Sequence, residues 1–244
     1  MNMTSIIFSR EFKSYFTTPV AYVFIIIFLV LAGVFTFYLG HFYEAEEANL
    51  RAFFTYLPWL FLFLIPAITM RLWSEERKTG TIELLLTLPI SMTQAVLGKF
   101  LAAWAFTAIT ILLTFPLWII VNILGSPDNG VIICGYFGAI LMAGGLLAVG
   151  SCISAATKNQ VIAFIIALAI NFILLLAGFS IVLDAFSGWA PEMLVDAVSS
   201  LSFLTHFESM SKGVIDLRDI IYFVSMIIVW LYATAIIIDS KKAS

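Results

Sequence analysis

Six long apolar runs alternate with short polar stretches along the 244-residue chain. They cover Val20–Leu39, Phe53–Met70, Val96–Leu124, Val131–Ala156, Val161–Leu183 and Ile220–Ile238. About 20 consecutive apolar residues let a helix cross a hydrocarbon core of ~30 Å, so each run predicts a membrane-spanning helix. Val96–Leu124 and Val131–Ala156 exceed what a perpendicular helix needs and are expected to tilt or project. Ahead of the first run, Ile7/Phe8, Phe12 and Tyr15/Phe16 recur at three- to four-residue steps around Arg10, Glu11 and Lys13. That spacing predicts an amphipathic elbow helix in the membrane interface, and Pro19 marks the turn into the first span. Between the last two runs, Asp184–Asp219 stays fairly apolar. Leu194, Ala197, Val198 and Leu201 sit there at helical spacing after Trp189 and Pro191. Short amphipathic helices that cap the bundle or dip into the outer leaflet are expected. The pattern describes an all-α membrane protein, a single domain over residues 1–244.

Composition agrees: 62% of residues are hydrophobic and 11% charged, against about 25% charged in soluble domains. No cleavable signal peptide is expected, because Met1–Thr18 is polar and charged and the first run is too long for a signal core. With the N-terminus in the cytoplasm, six spans put nine of the twelve Lys and Arg residues on the cytoplasmic side and ten of the fifteen acids outside. That bias predicts cytoplasmic termini.

The interior is short of chemistry. No ionisable residue lies deep in a span, which argues against an ion-coupled transporter or channel working alone. Thr107, Thr110, Thr114, Ser151 and Ser154 suit helix–helix hydrogen bonds. Asn171, central in its span, and Asn122 are the candidate pathway residues. The fourth run carries Gly135, Gly138, Gly144, Gly145 and Gly150 among alanines, which favours close helix packing over a pore lining. Cys134 and Cys152 lie eighteen residues apart in that run, roughly 27 Å along a helix, too far for a disulfide. His41 and His206 fall outside the spans, and no nucleophile, paired intramembrane aspartate or metal motif supports an enzyme. A phosphate loop is missing too: Gly98-Lys99 is followed by Phe100, with Thr93 where the first glycine should stand. Energy for active transport must therefore come from another subunit.

The polar island Arg71–Phe100 is the natural port. Ser74 can cap a short helix with Glu75 and Glu76 in its first turn. Gly80 breaks it, and Thr81 can cap a second helix whose Ile82, Leu85 and Leu86 share a face. Pro89 stops that helix, and Ser91-x-x-Gln94 is a capping box for the third span. A plain re-entry loop with snorkelling charges remains the alternative.

The run Glu75-Glu-Arg-Lys-Thr-Gly-Thr-Ile-Glu-Leu-Leu-Leu-Thr-Leu-Pro-Ile-Ser91 resembles the signature of ABC-2 type permeases, the membrane subunits of ATP-binding-cassette exporters. The Arg10–Pro19 elbow, the six spans and the apolar outer segment agree. Ser211–Asp219 and the short ends resemble the gliding-motility-associated (GldF-like) branch. The large extracytoplasmic domain of some relatives is missing, so this chain by itself is not expected to reach a distant extracytoplasmic partner.

The resemblance implies a bacterial cytoplasmic-membrane permease without cofactor of its own, ATP and Mg being bound by a cassette ATPase partner present in two copies. Glu75, Glu76, Arg77, Gly80, Thr81, Ile82, Glu83, Leu85, Leu86 and Pro89 would couple to that ATPase, with Thr81–Leu88 as the docking helix. Lys158, Asn159 and Gln160 would make a second contact, and Arg10, Glu11, Phe12 and Lys13 would form the elbow. A second permease chain, identical or a sister, would complete the transporter. The branch further implies a membrane protein with a large extracytoplasmic domain, and an alternative role as a force-transmitting scaffold that moves no solute.

Overall fold

The computed structural model describes residues 3–44, 46–82, 90–187 and 191–240. Every regular element among them is helical. Five helical stretches are long and apolar enough to cross a membrane: Pro19–Leu39, Arg51–Thr79, Met92–Leu124, Asn129–Ala156 and Leu217–Ser240.

The elbow is helix α1, Met3–Thr17. Phe8 stacks on Phe12, which meets Phe16 edge-on, at 5.5 and 5.2 Å between ring centres. Tyr15 and Phe16 rest on Phe106 at 4.8 and 5.9 Å. Its buried residue Ile7 lies where a Cβ on Gly98 would have to be, 2.7 Å away. Part of the apolar face therefore packs on protein. Thr18 is extended, and Pro19 starts α2 (Pro19–Val34), where a missing N–H costs nothing. A π-turn at Phe35–Leu39 finishes that span. Helix α3 is Arg51–Thr69 and α4 the short Ser74–Thr79.

The expected run Val96–Leu124 forms two helices, α5 (Met92–Leu112) and α6 (Phe115–Leu124). Pro116 is the reason: its ring clashes with the carbonyl four residues back, at Leu112, and it has no N–H to donate. Thr114 fills the break, donating to the Ile111 carbonyl and meeting the Tyr136 hydroxyl at 2.8 Å. Ser91 caps α5 as expected: its Oγ accepts from Gln94 N–H, and Gln94 Oε1 accepts from Ser91 N–H.

Helix α7, Asn129–Ala156, is the central post. Asp128 caps it by accepting from the Gly130 and Val131 amides. Helices α3, α5, α8 (Gln160–Leu176), α11 (Phe203–Ser211) and α12 (Leu217–Ser240) pack around it. Its small residues are packing sites: a Cβ on Gly138 would come within 2.8 Å of Met210, and one on Gly145 within 2.9 Å of Phe203.

The run Val161–Leu183 is also divided. Helix α8 stops at Leu176, and α9 follows at Ser180–Ser187. The Leu175 carbonyl accepts from the Ser202 hydroxyl, and Gly178 lies against Ser202 and Thr205 of the crossing chain. Tertiary contact thus ends the helix inside an apolar run. Past the break, α10 (Glu192–Ser200) buries nothing. The capping helix is α11, which inserts Phe203, Phe207 and Met210 into the bundle. Trp189 lies outside the described residues.

Candidate functional site: the base of the polar island

Helix α3 ends at Thr69, and Arg71–Trp73 turns the chain into α4. Trp73 occupies the position before the first helical residue and has no side chain able to cap. The cap is supplied by α7. Ser154 Oγ accepts from the backbone amides of both Trp73 and Ser74, 3.1 Å each, and donates to the Met70 carbonyl at 3.1 Å. Ser74, the expected cap, is instead the first helical residue, and its own hydroxyl donates to the same Met70 carbonyl. Trp73 is fully buried, and its indole donates to Ser151 Oγ at 3.2 Å. Four residues on, Arg77 Nη1 donates to the Ala155 carbonyl at 2.7 Å. A cation there meets the negative end of α7.

A second set of bonds ties α4 to α1 and α5. Lys99 of α5 is 4% exposed. Its ammonium lies 2.8 Å from Glu76 Oε1, 3.4 Å from Glu11 Oε2 and 5.3 Å from the centre of the Trp73 ring. Arg10 pairs with the other Glu11 oxygen at 2.7 Å. Burial pushes the Glu11 carboxyl up, but the Lys99 ammonium and Arg10 guanidinium outweigh it and hold the group below the ordinary glutamate range. Glu76 Oε2 is buried with no partner among the described residues.

Helix α4 closes at Gly80, whose φ of 75° is left-handed. Nothing lies near a Cβ built there, so conformation alone selects glycine. Beyond it, Thr81 is exposed, its hydroxyl 3.0 Å from that of Thr79, and Ile82 is half-buried against the core. Glu83, Leu84, Leu85, Leu86 and Pro89, and with them most of the expected docking helix Thr81–Leu88, lie outside the described residues.

The other candidates divide by surroundings. Glu75 is exposed, whereas Glu76 and Arg77 bond within the chain. Lys158 and Asn159 are exposed and Gln160 half-buried. Asn159 caps α8 by accepting from the Val161 and Ile162 amides. Helix α4 packs on both α7 and α8, so this turn stands beside it. Arg10 and Glu11 join the site through Lys99, while Phe12 packs on Phe8 and Phe16 and Lys13 is exposed. Asn122 lies on the surface, bonded to the Trp118 carbonyl and Asn129. Asn171 is fully buried on the α8 stripe Ala163, Ala167, Asn171 and Leu175, and both its amide atoms lack partners among the described residues.

Sequence reading missed Trp73 and the joining role of Lys99. It saw Ser151 and Ser154 only as generic helix–helix donors. The available signals were a tryptophan at the edge of a charged island and two serines three residues apart on one helix face. A separate pin holds the far end: His206 Nδ1 is 2.7 Å from Asp219 Oδ1, Nε2 is 3.0 Å from the Ser200 carbonyl, and the ring stacks on Tyr222.

The family model described as ABC-2 family transporter protein matches residues 39–238. That match runs from the end of the first span, at Leu39, into α12 and includes the whole α4 clamp except Arg10 and Glu11. No curated protein matches the sequence. The chain belongs to the ABC-2 transporter family and is a multi-pass membrane protein.

Proposed function

We propose that this ABC-2 family member is the permease subunit of an exporter, driven through α4 and the segment after it by a separate cassette ATPase. The observation that carries this reading is the clamp. Within six residues α4 is bonded to α7 at Trp73, Ser74 and Arg77, and to α5 and α1 through Glu76, Lys99 and Glu11. A push on the segment following Gly80 would thus reach three packed helices at once, and the left-handed Gly80 turns that segment out of α4. Thr81 stays exposed for contact with the ATPase, beside Lys158 and Asn159.

In this reading α8 is the fifth of six spans, added to the five of full membrane length. Its 17 residues reach roughly 26 Å, so the bilayer thins locally or a second subunit shelters it. The termini and α4 face the cytoplasm, as the basic-residue bias requires. Two permease chains pair, and the substrate moves along their interface. The ATPase binds the nucleotide and Mg, and this chain does no covalent chemistry. The gliding-motility branch follows from Ser211–Asp219 and rests on that resemblance.

The test is purification of the tagged chain from its native membrane. A cassette ATPase should accompany it, and Gly80→Pro with Glu83→Lys should release that partner. Arg77→Ala should keep the complex together but uncouple ATP hydrolysis from transport. An intact, coupled complex in the first variant sinks the proposal.

A further inference from the structure

In the α4 clamp Arg10 and Lys99 pair with Glu11 and Glu76, while Arg77 bonds to a carbonyl. Of the exposed charges beside it, two line one cavity. Arg71 and Glu75 are both exposed, and neither side chain has a partner among the described residues. Both line a cavity of about 440 Å³ that runs between α1, α2, α3 and α4. Glu11, Glu76 and Lys99 of the clamp line it too, and Val20 and Phe24 of α2 with Ala67 and Ile68 of α3 supply apolar lining. The volume falls within the range of about 300–1,000 Å³ typical of small-molecule sites. Its position follows from the helices around it: α2 begins here and α3 ends here, so the cavity sits where the apolar core meets water.

We propose that this cavity holds a zwitterionic phospholipid whose headgroup bears a primary ammonium, of the phosphoethanolamine type. The complementarity has three parts. The planar Arg71 guanidinium takes the phosphate through two N–H donors. Glu75 accepts an N–H from the ammonium. The upper part of an acyl chain lies along Val20, Phe24, Ala67 and Ile68. A choline headgroup keeps the charge but has no N–H to donate. An anionic headgroup satisfies Arg71 yet leaves Glu75 facing like charge. The ligand bridges the first span and the stretch leading into α4, so the lipid composition of the leaflet adjusts how firmly that stretch is held. On the orientation proposed above, this is the cytoplasmic leaflet.

The test measures lipid retention and needs no ATPase, so it succeeds or fails independently of the coupling role. The full chain is purified in detergent, titrated with defined lipids and weighed by native mass spectrometry. Phosphatidylethanolamine should remain at one molecule per chain. Successive N-methylation of its headgroup should weaken retention, by about tenfold at choline, the factor one charge-assisted hydrogen bond supplies. Arg71→Gln and Glu75→Gln, both on the surface, should each lower retention, while Arg218→Gln at the opposite end should not. Equal retention of the choline lipid overturns the proposal. So does a site that prefers anionic phosphatidylglycerol and ignores Glu75→Gln.

Discussion

Replacing Ser154 with alanine removes one hydroxyl and strands two backbone donors. The amides of Trp73 and Ser74 both end on that oxygen, 3.1 Å away, and Ser154 is fully buried, so water does not take its place. The Met70 carbonyl is unharmed, because the Ser74 hydroxyl still donates to it. The cost is therefore that of two unpaired buried N–H groups, at about 1–2 kcal/mol each, or ~2–4 kcal/mol together. Loss of an ordinary N-cap costs about 0.5–2 kcal/mol, so this cap from another helix should weigh at least as much. Ser151→Ala is the matched control: it removes only the indole acceptor and should cost about 1–2 kcal/mol. Hydrogen exchange of the purified chain, read on peptides covering residues 70–80, reports the opening of α4 directly. Ser154→Ala should speed exchange at Trp73 and Ser74 by at least tenfold and exceed Ser151→Ala in both exchange and thermal destabilisation. Unchanged protection at those two amides, or a larger effect of Ser151→Ala, refutes the assignment of Ser154 as the cap.

Lys99→Met leaves two half-buried carboxylates without their shared cation, Glu76 with none and Glu11 with Arg10 alone. It should cost about 1.5–3 kcal/mol, below the ~3–5 kcal/mol of a fully buried pair. Adding Glu76→Gln should recover part of this loss, and strictly additive melting shifts would contradict the network. Gly80→Ala meets no obstruction but must hold a φ of 75°, a cost of about 1–2 kcal/mol. Gly80→Asn should cost less, and equal melting temperatures for the two would show that the residue does not hold that conformation. Glu11 titrates below its unfolded value of 4.5, so its ionised form stabilises the fold. That contribution is full above about pH 4.5 and is lost as pH falls through the lower, folded value. Melting temperatures of the parent and Glu11→Gln should thus differ at neutral pH and converge on acidification; a constant gap would oppose the ion pair. Asn171→Leu removes two unpartnered amide atoms from the interior and should stabilise the isolated chain by about 1–2 kcal/mol. A clear drop in melting temperature would mean the amide has a partner.

Five of the apolar runs were readable as helices of membrane length because such runs have few other destinations; Val161–Leu183 instead divides after the 17-residue α8. The Ser91–Gln94 capping box and the Gly80 stop were readable because each depends on residues within a few positions. Even the break at Thr114 could have been read from Pro116, whose effect is local. The end of α8 could not: it depends on Ser202, twenty-seven residues downstream, reaching the Leu175 carbonyl. The candidate site divides the same way. Sequence alone marked 71–100 as a polar island with a short helix and a glycine break, because charge and helix punctuation are local properties. Which of its charges turn inward was set only by packing. Glu75 and Glu76 are adjacent and identical in type, yet one is exposed and the other meets Lys99, because α5 and α1 lie on one side of α4. The cap of α4 comes from Ser154, eighty residues from Ser74. Helical periodicity says which residues share a face; the tertiary contact decides what that face meets, and here it anchors the short helix to three others.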